Sequence, residues 1–180
     1  MPRLFTGLQI PEEQTDELVQ LFGTLEGVDW IDPDDFHVTL AFFGDVDGSL
    51  ADDIVSELDR IIAPRFHLKI NGVGAFTRRG EPHSVHATIE PTPDLTALQK
   101  DHAAVLRKFH LDRDRHRFAP HITLSRLKGA VSDRVCAGWL AERSQFRCDP
   151  FFVHEFVLYS ARDSVGGGPY IVEDRFRLRG

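Results

Sequence analysis

The 180-residue sequence predicts an α+β protein of two similar lobes, each a small sheet with helices on its outer side. Three observations carry that reading. Short runs rich in β-branched and aromatic residues alternate with four segments whose apolar residues recur at helical spacing. The tetrapeptide His37-Val-Thr-Leu returns as His121-Ile-Thr-Leu, 84 residues later; each copy is followed by a helix start, Ser49 or Ser132, and then by another β-like run. No linker divides the chain, so residues 1–180 read as one bilobal domain with one motif in each of two intertwined lobes.

Arg3–Ile10 reads as a first strand, stopped by Pro11. That proline suits the first turn of a helix running to about Leu21, with Glu12 and Glu13 at its positive end and Leu18, Leu21 and Phe22 on its apolar face. Trp30–Pro33 is a connection, and the acidic Asp32, Asp34 and Asp35 precede the first motif strand, Phe36–Phe43, which Gly44 closes. Ser49 caps a helix to about Ile62, whose Leu50, Ile54, Leu58 and Ile61 share a face. Pro64 ends it and Phe66–Ile70 forms a strand. Asn71-Gly-Val-Gly is a turn signal leading into Ala75–Gly80, and Ser84–Ile89 is the next strand.

Pro91-Thr-Pro-Asp then opens a helix from about Leu95 to Phe109, with Leu95, Leu98, His102, Val105, Leu106 and Phe109 on one side. After the polar loop Asp112–Arg117 comes the second motif strand, then a helix from Ser132 to about Arg143 and a β-like run, Gln145–Cys148. Two strands finish the chain, Phe152–Ser160 and Tyr170–Leu178, joined by a Gly166-Gly-Gly-Pro turn.

Composition excludes several classes. Hydrophobic residues are 42% and charged residues 27%, ordinary for a soluble globular chain. No run approaches a membrane span, and the start lacks the apolar stretch of a signal peptide, so a cytoplasmic location is expected. A net charge of −7 argues against a general basic face for coating nucleic acid, but leaves room for a small phosphate site served by local arginines. Cys136 and Cys148 show neither metal nor redox spacing and are expected to be reduced and partly buried. Nine histidines make a metal worth weighing; His83-x-x-His86 comes closest to ligand spacing but lacks a nearby carboxylate or cysteine set, so no metal and no cofactor are expected.

The repeated motif is the centre of the chemistry. With nine His and nine Thr in 180 residues, His-x-Thr-hydrophobic is expected by chance about 0.2 times. It occurs three times, yet His86-Ala-Thr-Ile does not share the surroundings of the other two. In a strand, residues two apart point to one face, so each motif sets an imidazole beside a hydroxyl and turns Val38 or Ile122 into the packing. Two such strands facing one another would supply two proton-transfer groups and two hydroxyls around one small anion. That is the apparatus for opening or closing a phosphodiester without a metal.

His37-Val-Thr-Leu-Ala-Phe-Phe-Gly44, Phe118-Ala-Pro-His121-Ile-Thr-Leu-Ser-Arg126, Gly74-Ala-Phe-Thr-Arg-Arg-Gly80 and the closing Phe156-Val-Leu-Tyr-Ser with Gly168-Pro-Tyr170 together resemble the two-histidine phosphoesterases. The resemblance covers nearly the whole chain and is to the RNA 2′,3′-cyclic phosphodiesterase group, historically named 2′–5′ RNA ligases. It implies a bilobal pair of mostly antiparallel sheets around a central cleft that holds both histidines. The implied activity is metal-independent hydrolysis of 2′,3′-cyclic phosphate at RNA or nucleotide ends to a 2′-phosphomonoester, with 2′–5′ joining as the reverse reaction in some members. Those ends are the expected partners, with no membrane, and the protein is expected to be a monomer.

On that reading His37 and His121 are the catalytic pair, one neutral and one protonated at the start, with His37 assigned as acid and His121 as base. Thr39 and Thr123 hold the non-bridging oxygens, and Arg126 supplies fixed positive charge beside the phosphate. His86 stands where relatives commonly carry a bulky aromatic; it lines the cleft and stacks on the terminal base, or else is a packed strand histidine. Arg78, Arg79 and the Arg113–Arg117 loop either hold the RNA backbone or are solvated loop charge. Phe42 and Tyr159 are assigned to the core. Two other functions fit the same residues: action on 2′–5′ oligonucleotides or cyclic nucleotide-sugar phosphates, and a non-catalytic nucleotide- or RNA-binding module.

Overall fold

The computed structural model describes residues 3–112, 117–127, 131–161 and 168–179. Its elements run β1 (Arg3–Gln9), α1 (Glu12–Val19), β2 (Asp29–Trp30), a 3₁₀ turn at Pro33–Asp35, β3 (His37–Asp45), α2 (Gly48–Leu58), β4 (Phe66–Leu68), β5 (Ile70–Arg78), β6 (Glu81–Ile89), α3 (Pro93–Lys108), β7 (His121–Arg126), α4 (Asp133–Glu142), β8 (Phe151–Val153), β9 (Glu155–Ala161) and β10 (Tyr170–Arg177). This is the α+β order expected. The two half-sheets are wings of one antiparallel sheet, in the order β10-β9-β1-β3-β7-β6-β5, with short β2 also on β7. β4 and β8 form a separate two-stranded sheet.

Each element follows from local chemistry. Pro11 stands at the N-cap of α1, ahead of Glu12 and Glu13. Asp47, not Ser49, caps α2: its carboxylate accepts the Leu50 N–H at 2.9 Å, and Ser49 already lies inside the helix. Thr92 and Ser132 do the same for α3 and α4, accepting from the Leu95 and Val135 N–H groups.

Other departures are equally local. Asn71-Gly-Val-Gly is not a turn but an irregularity within β5, with Gly72 at φ +87° and a register shift between Ile70 and Val73. The true hairpin turn is Arg79-Gly80, both with positive φ, joining β5 to β6. The run Gln145–Cys148 contributes only a single bridge, Arg147 to Asn71; the strand of that half is β8. Gly166 and Gly167 of the Gly166-Gly-Gly-Pro turn lie outside the described residues, as does most of the Arg113–Arg117 loop.

The two faces of the sheet differ. Val38, Val85, Ala87 and Ile122 are fully buried in one large core with Leu18 of α1, Ile54 and Leu58 of α2, Leu95 and Leu98 of α3 and Trp139 of α4. The opposite face carries a small, mostly aromatic hydrophobic cluster, Phe5, Val157 and Tyr159 with Tyr170 against it, and the motif histidines. Among the described residues no helix is long and apolar enough to cross a membrane.

Candidate active site

β3 and β7 meet antiparallel through Val38 and Ile122, the middle residues of the two motifs. One residue further either way, that register sets His37 opposite Thr123 and Thr39 opposite His121. Because Val38 and Ile122 turn into the core, all four motif side chains stand on the other face. The internal repeat thus becomes a local two-fold, and its axis passes through the site.

Each motif is followed by a β-bulge in the same place. On β7 the pairing with β6 passes from His86–Thr123 to Val85–Ser125, leaving Leu124 as the extra residue. On β3 the pairing with β1 passes from Gly7–Thr39 to Thr6–Ala41, leaving Leu40. Five residues from His121, Arg126 would point away from it on a regular strand. The bulge resets the alternation, and Arg126, opposite Ser84, shares the face of His121, Thr123 and His86. The equivalent position on β3 is Phe42, opposite Phe5. A cation and an aromatic ring therefore occupy matching places on either side of the quartet.

The imidazoles are held alike. His37 donates its Nδ1–H to the Asp35 carbonyl at 2.7 Å, and His121 donates its Nδ1–H to the Ala119 carbonyl at 2.7 Å. A carbonyl can only accept, so both rings are fixed with Nε2 as the nitrogen that exchanges protons. The Nε2 of His37 lies 3.1 Å from the Thr39 hydroxyl. Space for His37 comes from Gly7, where a Cβ would lie 3.0 Å from the Val38 carbonyl oxygen and 3.3 Å from the imidazole.

Burial disfavours the charged form of both imidazoles. Burial pushes His37 down to about 4; the Asp35 hydrogen bond opposes this, and the charges of His121 and Arg126 add to it. Burial also lowers His121, against its bond to Ala119. A protonated His37, the role expected of it, therefore needs a bound anion to offset its burial and the charges of His121 and Arg126.

A family model described as LigT-like phosphoesterase matches residues 8–86 and 88–170. The chain belongs to that family. Relatives named RNA 2′,3′-cyclic phosphodiesterase include one from Methanothermobacter thermautotrophicus, 28% identical over 185 residues and 98% of each chain. Another, from Aeropyrum pernix, is 31% identical over 101 residues, covering 56% of this chain and 57% of that protein. The crystal structure of E. coli LigT complexed with 3′-AMP superposes with a TM-score of 0.78 at 22% identity, covering both chains fully, a likeness that speaks for the fold.

In this LigT-like phosphoesterase the structure gathers His37, Thr39, His121, Thr123 and Arg126 on one face. His86 is also on that face but only 7% exposed, lodged over Gly74, stacked under Phe76 at 4.3 Å and 5.1 Å from the His121 ring. It is the packed histidine of the two readings; burial, with the charge of His121, takes it to about 4. The surface it would have offered belongs to Phe76, 37% exposed and edge-on to His121 at 4.7 Å. Arg78 and Arg79 are exposed at the hairpin tip, Arg78 on the strand face of Phe76.

Two aromatic assignments divide. Tyr159 is buried beside His37 and Phe5, as expected of the core. Phe42 is not core: it is 52% exposed and stacks on Phe5. Counting alternation without the Leu40 bulge turns Phe42 inward, and only an irregularity after both motifs could have revealed it. Beyond the Val38–Ile122 pair, β3 parts from the chain entering β7, and a cavity of about 660 Å³ opens there. Thr39, Phe42, Phe76, Leu106, Arg117 and His121 line it, and it runs on to Arg3 and Asp45. His83 is exposed, and among the described residues no group of three or more His, Cys, Asp or Glu is placed to hold a metal.

Proposed function

We propose that this protein hydrolyses 2′,3′-cyclic phosphate at the end of an RNA or nucleotide to a 2′-phosphomonoester, using its own side chains and no metal. The observation that carries the reading is the four-residue face, His37 opposite Thr123 and Thr39 opposite His121, with both Nε2 atoms left to exchange protons. The names of its relatives and the 3′-AMP held by E. coli LigT support the substrate class.

The chemistry follows from the groups. The cyclic phosphate binds with its non-bridging oxygens on the Thr39 and Thr123 hydroxyls and its charge against Arg126. One neutral imidazole takes a proton from water as the water oxygen attacks phosphorus. The P–O3′ bond breaks, and the other imidazole, protonated in the presence of the bound anion, gives its proton to the departing O3′. With an RNA 5′-hydroxyl in place of water, the same step, attack on phosphorus with departure of O3′, joins ends through a 2′–5′ bond. Phe42 and Phe76 offer ring surface to the nucleoside attached to the phosphate.

The test is the pair His37→Ala and His121→Ala, assayed for turnover of a nucleoside 2′,3′-cyclic phosphate and for binding of a nucleoside monophosphate. Loss of turnover by a factor of about 10² or more with binding retained is expected. Turnover equal to that of the unmodified protein in the double variant would refute the reading.

A further inference from the structure

The two motif histidines use the same backbone bond, but the carbonyls that receive it are anchored differently. Ala119 has no side chain able to tie its carbonyl to another element. Asp35 ends the 3₁₀ turn at Pro33–Asp35, and its carboxylate accepts the backbone N–H of Tyr170 at 2.9 Å, at the start of β10. Gly168 lies against that carboxylate so closely that a Cβ there would overlap it. Tyr170 in turn sets its ring edge-on to His37 at 5.3 Å and to Phe5 at 4.9 Å. Asp35 thus holds the last strand with its side chain and His37 with its backbone, across a separation of 135 residues.

We infer that Asp35 is a positioning residue for His37: its carboxylate, seated on Gly168 and bonded to Tyr170, fixes the turn whose carbonyl sets the tautomer and direction of the imidazole. Burial raises the Asp35 carboxyl above its ordinary range, with the Tyr170 bond opposing and the charges of Asp32 and Asp34 adding. A carboxylate held in that setting is disfavoured unless its hydrogen bond is part of the architecture. The kinetic consequence rests on the cyclic-phosphodiesterase reading; the structural one does not. Turning an imidazole by a fraction of an ångström misdirects Nε2, so the loss falls on the chemical step rather than on substrate affinity.

Asp35→Ala, Asp35→Asn and Gly168→Ala in the full chain test this by two readouts, with thermal unfolding followed alongside. The first is the ring-nitrogen NMR shifts of His37 and His121; the second is kcat and KM on a nucleoside 2′,3′-cyclic phosphate. In Asp35→Ala and Gly168→Ala the His37 tautomers should mix while His121 stays unchanged, and kcat should fall about ten- to hundredfold with KM within about twofold. Asp35→Asn keeps an oxygen for the Tyr170 N–H and should retain most of kcat. Unchanged His37 shifts in Asp35→Ala, or an Asn variant as impaired as the Ala variant, would overturn the inference. Failure of the unmodified protein to turn over the substrate counts against the cyclic-phosphate reading instead, and the NMR shifts still decide the role of Asp35.

Discussion

Val38 lies directly opposite Ile122, and neither touches solvent. This one pair joins the wings of the sheet, places the two-fold of the repeat between the motifs, and forces both histidines and both threonines to the same surface. A slip of one residue at this point would send the histidine and threonine of one motif to the wrong face.

Arg126 should act on the rate and on the titration of His37 together. Its charge opposes protonation of His37, so Arg126→Ala should raise the His37 pKa and move the limb of kcat/KM that His37 governs to higher pH. The same variant should lose about 10²–10³ in kcat/KM, the scale for removing a group aimed at developing charge. Arg126→Lys should restore the pH profile but only part of the rate, because an ammonium lacks the planar fork. A profile unmoved in Arg126→Ala would place the guanidinium away from the histidines.

Phe42→Ala should separate binding from folding. The ring is 52% exposed, so thermal stability should change little, while loss of base stacking, worth about 1–3 kcal/mol, should raise KM about tenfold or more with kcat less affected. A lowered melting temperature with unchanged KM would return Phe42 to a packing role.

Gly74 and His86 should show strong coupling. A Cβ on Gly74 would lie 2.5 Å from the His86 Nε2, so Gly74→Ala should destabilise the fold by about 1–3 kcal/mol. In a His86→Ala background the same change should have almost no effect, since the ring it strikes is gone. Additive effects in a double-mutant cycle would contradict the packing described.

Acid should unfold the protein through its buried histidines. His37, His86 and His102 are each held down to about 4, chiefly by burial, and His102 is fully enclosed with its Nδ1–H donated to the Leu98 carbonyl. The unfolded chain takes up these protons as pH falls through about 6.5, whereas the folded chain does not until about 4. Stability should therefore be fully present above pH 6.5 and fall by about 1.4 kcal/mol per pH unit for each histidine across that window. Chemical denaturation from pH 7 to 4 measures this, and His102→Leu should flatten the slope by about one proton.

Much of this was legible in the residues, and what was not has a common cause. The helices show themselves through apolar spacing, as with Leu95, Leu98 and Val105, and the motif strands through the repeat itself. Strand alternation predicts that His37 and Thr39 share a face, which needs only local geometry. The faces of Phe42 and Arg126 depend on bulges at Leu40 and Leu124, and a bulge is a relation between two strands that one strand's composition does not express. Likewise, Asp35 reads as one of three acidic residues in a turn; its bond to Tyr170 exists only once β10 closes the sheet edge beside β9. His86 could be read either as lining or as packing, and Gly74, the partner that decides it, lies across the hairpin.

The most direct measurement is hydrolysis of a nucleoside 2′,3′-cyclic phosphate by metal-stripped protein in chelator, from pH 4 to 9, with the product identified. Turnover undiminished by the chelator, a 2′-phosphate product and a bell-shaped kcat/KM are expected. Its optimum should lie below the ordinary histidine value of 6.5, because burial lowers both members of the pair. A 3′-phosphate product, or turnover that returns only when a divalent cation is restored, would contradict the proposed reaction.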